Sequence, residues 1–195
     1  MQFLQNYNNP KNIRFKSFEF ALNEAKKRNH KTIVETGVAR GKIKFLFFSK
    51  INWLDGMSTV IFSDYARHME GELFSCDISA QNIKNAKKFS RLNKDFITFV
   101  TDDSLNFLSK FNKDIDFLYL DSLDGQFEGA SSHQLEEIKI AKKKLKENSL
   151  VLLDDKGDKT NLSIDYMLKN NFKIINETKQ QVLLSYHNSR TSLSK

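Results

Sequence analysis

Three carboxylates follow two apolar runs in the second half of the chain. Asp121 comes directly after the run Ile115–Leu120, and Asp154 and Asp155 follow a second run, Leu150–Leu153. If the two runs are neighbouring strands of a parallel sheet, their ends meet at one edge and bring these side chains together. Carboxylate oxygens gathered in this way suit Mg²⁺ or a similar cation. The alternative is that the acids cap helices or face water.

An acidic residue and a glycine follow the first apolar run, in Glu35-Thr36-Gly37. The glycine allows the backbone to approach a ligand closely, and the acid can accept hydrogen bonds from a cationic amine. The chain contains neither the G-x-G-x-x-G fingerprint of dinucleotide-binding proteins nor a G-x-x-x-x-G-K-[ST] phosphate loop. A dinucleotide site and a nucleotide-phosphate loop are therefore both less favoured.

Further polar side chains stand where two other apolar runs end. Asp77 follows Leu73–Cys76, a position from which a carboxylate can bind both hydroxyls of a ribose. It could instead be a helix N-terminal charge ahead of Ser79. Asp103 and Ser104 could meet an adenine edge, or they could cap a helix. Both alternatives stay open for each of these positions.

Apolar runs alternate with stretches of helical spacing along the chain. The runs are apolar nearly throughout, as in strands buried on both faces of a parallel sheet: Thr32–Glu35, Leu73–Cys76, Phe96–Val100, Ile115–Leu120 and Leu150–Leu153. The expected helices are Phe15–Arg28, Ser58–His68, Ala80–Leu92, Ser104–Phe111 and His133–Leu145, with Ser79 and Asp103 as N-caps. This alternation predicts the α/β class.

The C-terminal part of the pattern differs. A helix is expected at Leu162–Lys169, and the runs Phe172–Ile175 and Val182–Tyr186 could pair as an antiparallel edge. The expected fold is a three-layer α/β/α sandwich, with a mostly parallel seven-stranded sheet and an antiparallel C-terminal edge strand. We expect one domain over residues 1–195, with an N-terminal helical segment at 1–30 and a flexible tail at 187–195.

Composition supports a globular protein. Hydrophobic residues make up 39% of the 195 and charged residues 28%. No apolar run approaches the roughly 20 residues of a bilayer span, and residues 1–12 lack the order of a signal peptide. We therefore expect a cytoplasmic protein that does not associate with a membrane. The single cysteine, Cys76, excludes an internal disulfide and suggests a packed thiol.

The formal net charge of +7 raises the possibility of a nucleic-acid partner, because clustered Lys and Arg bind phosphate backbones. Here the basic residues are scattered. The densest runs, at 25–31 and 139–146, lie in amphipathic helical patterns in which Lys faces water. A nucleic-acid partner is therefore not expected.

The chain resembles the class I S-adenosylmethionine-dependent methyltransferases, in order from about Ile33 to Tyr186. The closest likeness is to small-molecule methyltransferases in which a Glu-x-Gly turn is followed by an Asp-Gly-x-Ser-Thr element that opens the next helix. Here these motifs are Glu35-Thr36-Gly37 and Asp55-Gly56-Met57-Ser58-Thr59, separated by an apolar insertion, Gly41–Leu54. The insertion could be a lid, a wall of the substrate pocket or a packed extra helix.

The resemblance implies a Rossmann-like fold and a place for each part of the cofactor. Glu35 and Gly37 would lie near its methionine portion, with Gly56 in the next element and Ser58 and Thr59 near its backbone. Asp77 would bind the ribose, Asp103 and Ser104 would lie near the adenine, and Asp121 would face the transferred methyl group.

The segment from Asp121 to Asp155 is similar to macrocin-type and catechol-type O-methyltransferases, in which equivalent acids hold a divalent metal. This implies Mg²⁺ at Asp121, Asp154 and Asp155. The catechol-type enzymes carry a Lys soon after the first metal-binding Asp, whereas this chain reads Asp121-Ser122-Leu123-Asp124-Gly125. His133 is a candidate base, although it could be an ordinary residue in the first turn of a helix.

These likenesses imply methyl transfer from S-adenosylmethionine to the oxygen of a small polar acceptor, such as a sugar or secondary metabolite. The alternatives are a nucleic-acid methyltransferase, a binding module without catalysis, and a Rossmann-like dehydrogenase with a nicotinamide cofactor. The sequence leaves a homodimer open.

Overall fold

Strands and helices alternate along most of the chain in the computed structural model, which describes residues 1–45 and 48–187. The described strands are β1 Thr32–Thr36, β2 Lys42–Phe45, β3 Phe48–Ile51, β4 Glu72–Asp77, β5 Ile97–Thr101, β6 Ile115–Leu120, β7 Leu145–Leu153, β8 Phe172–Glu177 and β9 Val182–Tyr186. The described α-helices are α1 Phe15–Lys27, α2 Ser58–Met69, α3 Ala80–Phe89, α4 Ser104–Lys110, α5 Ala130–Ala141 and α6 Asp158–Leu168.

The main sheet has seven strands in the order β5-β4-β1-β6-β7-β9-β8. Every neighbouring pair from β5 to β7 is parallel, and β9 runs antiparallel between β7 and the edge strand β8. The chain leaves β1 toward β4 and β5 and then returns to the other side of β1 with β6. The direction of strand order therefore reverses between β1 and β6, which is where ligands bind in open α/β sheets.

Apolar side chains on both faces of the strands build a core on each side of the sheet. Phe117 and Tyr119 of β6 pack with α1 and α2 on one face, whereas Leu118 and Leu120 pack with α4, α5 and α6 on the other. This is the burial that continuous apolar runs predict for a parallel sheet. The predicted class, a Rossmann-like three-layer α/β/α sandwich with a mostly parallel seven-stranded sheet, is confirmed.

The insertion is a hairpin where the structure describes it, so the packed extra helix is wrong. β2 and β3 pair antiparallel, and a 3-10 turn, Trp53–Asp55, follows them. The alternation in Lys42-Ile43-Lys44-Phe45 is the period-2 signal that could have indicated a strand. Residues 46–47 of the predicted apolar stretch lie outside the described residues, as does the predicted tail from residue 188.

Two predicted helix caps are confirmed at the site-bearing edge. Ser79 Oγ accepts a hydrogen bond from the backbone N–H of Asn82, and Asp103 Oδ1 accepts from the N–H groups of Leu105 and Asn106. Such caps satisfy backbone donors that a helix leaves unpaired at its start. None of the described helices has both the length and the apolar composition of a bilayer-crossing segment.

Candidate functional site

Three adjoining cavities run along the carboxyl edge of β1, β4 and β6. The outer cavity, about 200 Å³, is bordered by Cys76, Asp77, Ile78, Asp103, Ser104, Leu123 and His133 among others. The middle cavity, about 160 Å³, is bordered by residues including Gly37, Val38, Ala39, Ser58, Asp77, Asn82 and Asp121. The acidic cavity, about 370 Å³, is bordered by Arg14, Arg40, Asn52, Leu54, Asp55, Asp121, Asp124, Gly125, Gln126 and Asp155.

Neighbouring cavities share part of their walls. Gly37 and Asp77 border both the outer and the middle cavity, while Arg40 and Asp121 border both the middle and the acidic cavity. A ligand that extends from the outer cavity through the middle one therefore ends beside Asp121, with the acidic cavity on the other side of that residue.

Glu35 lies beneath the middle cavity and does not border it. Its carboxylate is fully buried and accepts hydrogen bonds from the hydroxyls of Ser58, Thr59 and Ser75. Burial raises the pKa of Glu35 from 4.5 to about 7, although the three hydroxyls act in the opposite direction. Because the carboxylate is fully buried behind the cavity wall, the geometry favours a positioning role over the predicted direct contact with an amine.

Two other predicted cofactor residues also lie behind the cavity wall. Thr59 is fully buried, where it donates to Glu35 and accepts a hydrogen bond from the N–H of Ala39. Gly56 has a φ of 74°, and a Cβ there would lie 2.9 Å from Cδ of Arg14. Thr59 thus holds the loop after β1, whereas Gly56 makes room for an arginine.

Gly37 brings the ends of β1 and β6 into direct contact. Its φ is 82°, and a Cβ at this position would lie 2.1 Å from the backbone oxygen of Asp121. Its N–H donates to the carbonyl oxygen of Cys76 at the end of β4. The glycine therefore joins three strand ends at the floor of the cavities.

Asp77 organises the turn between the outer and middle cavities. Oδ2 accepts from the N–H of Val38, and Oδ1 accepts from the N–H of Ser79. The side-chain amide of Asn82 donates to both oxygens. The carboxylate is thus fixed at a cavity wall and also acts at the start of α3, so the two predicted roles are compatible.

The outer cavity brings together Asp103, Ser104 and His133. Their spacing along the chain does not reveal this proximity. Ser104 Oγ lies 2.9 Å from Nε2 of His133, and the same imidazole nitrogen is 3.9 Å from the buried Glu137 carboxylate. Burial raises the pKa of Glu137. His133 borders the outer cavity and not the acidic one, so its position does not favour the predicted role of base beside Asp121.

The insertion is closed at its base by Asp55. Oδ2 of Asp55 accepts from the N–H of Gly41, and the N–H of Asn52 donates to the carbonyl oxygen of Gly41. Arg40 pairs with Asp55 at 3.3 Å and reaches Asp124 at 3.2 Å on the loop after β6. These contacts fix one wall of the acidic cavity from two separate loops.

Asp121, Asp154 and Asp155 lie together, as the strand-end argument predicts. Ligand oxygens of the three are within 4.8 Å of one another. Asp154 is fully buried at the end of β7, and Asp155 follows with a φ of 53°, a value that L residues seldom adopt. The sequence thus predicts correctly that the three carboxylates lie together. Whether they can bind a metal ion depends on the other groups around them.

Two protein cations stand among these carboxylates. The Arg14 guanidinium donates to both oxygens of Asp154, at 2.7 to 3.0 Å, and to Oδ1 of Asp155 at 3.0 Å. Lys159 Nζ lies 3.1 Å from Oδ1 of Asp121 and 3.3 Å from Oδ2 of Asp155. Every oxygen of the cluster except Oδ2 of Asp121 is therefore already within hydrogen-bond distance of a protein cation, and this occupied set does not fit the metal that the resemblance implied.

The charged groups of this cluster shift one another's pKa values. Burial and the neighbouring Asp154 raise the pKa of Asp121 well above its ordinary value. Burial disfavours the charged form of Lys159, but Asp121, Asp155 and Asp154 outweigh it and raise the lysine pKa. For Asp155, Lys159 and Arg14 outweigh burial and lower the pKa. The cluster is thus an interior network of ion pairs.

One family model matches the chain over residues 53–156, which is more than half of its length, and its description is "Methyltransferase domain". The chain belongs to this family. No curated protein matches the sequence. The match begins at Trp53 and ends just after Asp155, so it includes α2, the end of β4 and the strand ends that carry the acidic cluster.

Solved structures show that the methyltransferase-domain chain shares its fold with distant proteins. A methyltransferase from Podospora anserina, described as SAH-bound, is 12% identical, with a TM-score of 0.65 over 96% of this chain and 86% of that one. An O-methyltransferase from Bacillus cereus in complex with SAH is 11% identical, with a TM-score of 0.63 over 95% and 87%. An rRNA methylase from Streptococcus thermophilus is 12% identical, with a TM-score of 0.63 over 90% and 97%.

Sequence reasoning missed the two cations of this methyltransferase-domain protein. Arg14 lies 140 residues from Asp154 along the chain, so no local pattern connects them. Lys159 lies four residues after Asp155, and the i, i+4 spacing is a usable signal only if the helix begins before it. The predicted helix begins at Leu162, whereas α6 begins at Asp158.

Proposed function

We propose that this protein transfers a methyl group from S-adenosylmethionine to a small polar acceptor. The observation that carries the proposal is the line of three cavities, in which Asp121 borders both the middle and the acidic cavity. This arrangement supports a cofactor in the outer and middle cavities and an acceptor in the acidic one. Family membership supports the same chemistry.

The residues along the first two cavities suit the parts of this cofactor. Ile78 and Leu123 offer apolar surface in the outer cavity for a flat base, beside the polar groups of Asp103 and Ser104. Asp77, between the two cavities, offers a carboxylate to ribose hydroxyls. The backbone at Gly37 and the Ser58 hydroxyl border the middle cavity, where the amino-acid portion would lie.

The chemistry requires alignment more than acid or base strength. When bound, S-adenosylmethionine supplies an electrophilic methyl group on a sulfonium, which is already a good leaving group. The protein's part is to hold an acceptor in line with that methyl group, and well-oriented reactants gain several kcal/mol from this alone. Asp121 is placed to accept a hydrogen bond from an acceptor hydroxyl and to take its proton as the oxygen–methyl bond forms, while the methyl–sulfur bond breaks and S-adenosylhomocysteine leaves.

The polar lining of the acidic cavity supports a polyhydroxylated acceptor and O-methylation. Asp55, Asp121, Asp124 and Asp155 offer hydrogen-bond acceptors, and Arg14 offers donors. Sugars present hydroxyls that can match such a set. No step of this proposal passes through Mg²⁺, because Arg14 and Lys159 already pair with the carboxylates that would bind it.

Calorimetry with S-adenosylhomocysteine and with NAD⁺ tests the cofactor. We expect binding of the first and none of the second. Asp77→Asn should weaken S-adenosylhomocysteine binding by about 10-fold or more, because a charged hydrogen bond contributes roughly 1.5–3 kcal/mol and 1.4 kcal/mol is tenfold. Asp114→Asn, which removes an exposed carboxylate away from the cavities, should leave the affinity unchanged.

Transfer itself needs a turnover assay with methyl-labelled cofactor and a panel of sugars and small polyols. Label in an acceptor supports the enzyme. Tight cofactor binding with no transfer to any acceptor would instead favour a binding module, and preferential binding of NAD⁺ would contradict the methyltransferase proposal altogether.

A further inference from the structure

The acidic cluster at the ends of β6 and β7 holds positive charge of the protein's own. Arg14 reaches it from the start of α1, and Lys159 reaches it from the first turn of α6. Both oxygens of Asp154, both of Asp155 and Oδ1 of Asp121 lie within hydrogen-bond distance of one of these cations. The two cations therefore surround the point at which the three carboxylates converge.

Both cations and Asp154 are largely buried, whereas Asp121, 23% exposed, and Asp155, 32% exposed, also face the cavities. The side chain of Lys159 is 2% exposed and that of Asp154 is 0% exposed, while Arg14 is 14% exposed. Exposed ion pairs rearrange at little cost, but a buried pair leaves an uncompensated charge when one partner moves away. An incoming divalent cation would have to displace the buried Lys159 ammonium from both of its described partners, Asp121 and Asp155.

Further donors complete the environment of the carboxylates. The side-chain amide of Gln181 donates to Oδ1 of Asp154 at 2.7 Å, and the N–H of Gly125 donates to Oδ2 of Asp155 at 3.3 Å. Oδ2 of Asp121 has the weakest described contact, from the Tyr119 hydroxyl at 3.4 Å. Asp121 is also the member that borders both the middle and the acidic cavity.

Formal charges agree with this picture. With all three carboxylates ionised, the group with Arg14 and Lys159 carries a net charge of −1, whereas the same group with an added divalent ion would carry +1. Mg²⁺ also requires near-octahedral geometry with oxygen ligands at about 2.0–2.1 Å, which donors already bound to those oxygens prevent.

We propose that Arg14 and Lys159 occupy the place of the divalent metal, so that the cluster holds Asp121 toward the acceptor without binding a metal ion. In this arrangement Lys159 is a positioning residue: it fixes Oδ1 of Asp121 and leaves Oδ2 for an acceptor. The assignment of an acceptor to this cavity rests on the proposed function, but the cation-for-metal replacement can be tested without it.

The test uses Mn²⁺ as a probe of the full-length protein, followed by electron paramagnetic resonance and by the melting temperature. We expect the wild-type protein to bind no Mn²⁺ at the cluster and to melt at the same temperature with Mn²⁺, Mg²⁺ or chelator. Lys159→Met frees Oδ1 of Asp121 and Oδ2 of Asp155, and the double variant Arg14→Met/Lys159→Met also frees Asp154. The double variant should bind one equivalent of Mn²⁺, with a rise in Tm of about 5 °C at saturation, and Lys159→Met alone should bind Mn²⁺ more weakly. Lys159→Arg should restore the wild-type insensitivity to metal.

Lys113→Met is the matched control, because it removes a lysine that pairs with Glu72 far from the cluster. It should gain no metal binding. If Lys159→Met does not fold, the Mn²⁺ titration of the wild-type protein still tests the proposal. The proposal would be overturned if the wild type bound one equivalent of Mn²⁺ and Asp154→Asn abolished that binding. A folded Arg14→Met/Lys159→Met double variant that binds no Mn²⁺ would overturn it too. Failure of the proposed function would appear separately, as absence of S-adenosylhomocysteine binding in the wild-type protein.

Discussion

Glu35 is buried at the end of the central strand, yet its hydrogen-bond partners in the described part of the chain are three neutral hydroxyls and no cation. Ser58 and Thr59 open α2, and Ser75 lies on β4, so one carboxylate joins three elements. Through Thr59 it also acts on the loop after β1, because the Thr59 hydroxyl accepts from the N–H of Ala39. The residue thus shapes the middle cavity from behind.

Glu35→Gln should change how stability depends on pH. The pKa of Glu35 is about 7 in the folded protein against 4.5 ordinarily, so between these values the folded state binds more protons than the unfolded state. The stability of the wild type should therefore fall relative to Glu35→Gln as pH rises from about 4.5 to 7, by at most about 3 kcal/mol. Urea denaturation at pH 5 and pH 8 measures this difference.

The exposed Glu128→Gln variant serves as the control, since its difference from wild type should be nearly the same at both pH values. If the curves of wild type and Glu35→Gln stay parallel across this range, Glu35 does not hold its proton as the burial of its carboxyl implies.

At the residue scale, the sequence predicts correctly the positions of side chains that directly follow a strand. Asp77, Asp103 and Asp121 lie at the cavities because the carboxyl ends of parallel strands meet at one edge. Arg14 could not be found in this way, because its partners are determined by how α1 packs over the sheet. The role of His133 depends on the packing of α5 beside α4, which no spacing in the chain reveals.

At the scale of elements, the close contact between the ends of β1 and β6 depends on one position without a side chain. Gly37→Ala would place a Cβ 2.1 Å from a backbone oxygen, in addition to the strain of a positive φ. We expect it to lower the free energy of unfolding by about 3 kcal/mol or more and to weaken S-adenosylhomocysteine binding, since β1 must move away from Asp121.

Gly129→Ala separates the two causes. Gly129 has the same φ of 82°, but nothing lies within 4 Å of a Cβ at that position. Its cost should be the strain alone, about 1–2 kcal/mol, with unchanged cofactor affinity. Urea denaturation and calorimetry on both variants test this, and equal losses of stability and affinity would show that the contact with Asp121 is unimportant.

The sequence predicts elements well where burial on two faces imposes a simple pattern. The run Ile115–Leu120 is observed as β6 with the predicted bounds, and all the other strands of the main sheet overlap their predictions. Boundaries set by turns are less accurate. α5 begins three residues before the predicted His133, after Gly129 in a left-handed conformation, and α6 begins after Gly157, whose N–H donates to the Thr160 hydroxyl.

At the scale of the whole molecule, the net charge of the chain and the net charge of the acidic cavity have opposite signs. The chain carries a formal +7, yet four carboxylates and two arginines border the acidic cavity. The formal charge of the cavity lining is therefore negative, opposite in sign to that of the whole chain. A general positive charge gives weak, salt-sensitive attraction to polyanions, whereas a nucleic acid that entered the acidic cavity would bring its phosphates close to four carboxylates.

Binding of short RNA, followed by fluorescence anisotropy over a range of KCl, should therefore be weak and non-specific. We expect a Kd of about 10⁻⁴–10⁻⁶ M near physiological salt that weakens steeply as salt rises, as for simple counterion release. Asp124→Asn, which removes a negative charge from the acidic cavity, should leave this Kd nearly unchanged, because the RNA does not enter. A Kd well below this range, with binding that blocks or requires S-adenosylhomocysteine, would contradict the small-acceptor proposal and favour a nucleic-acid substrate instead.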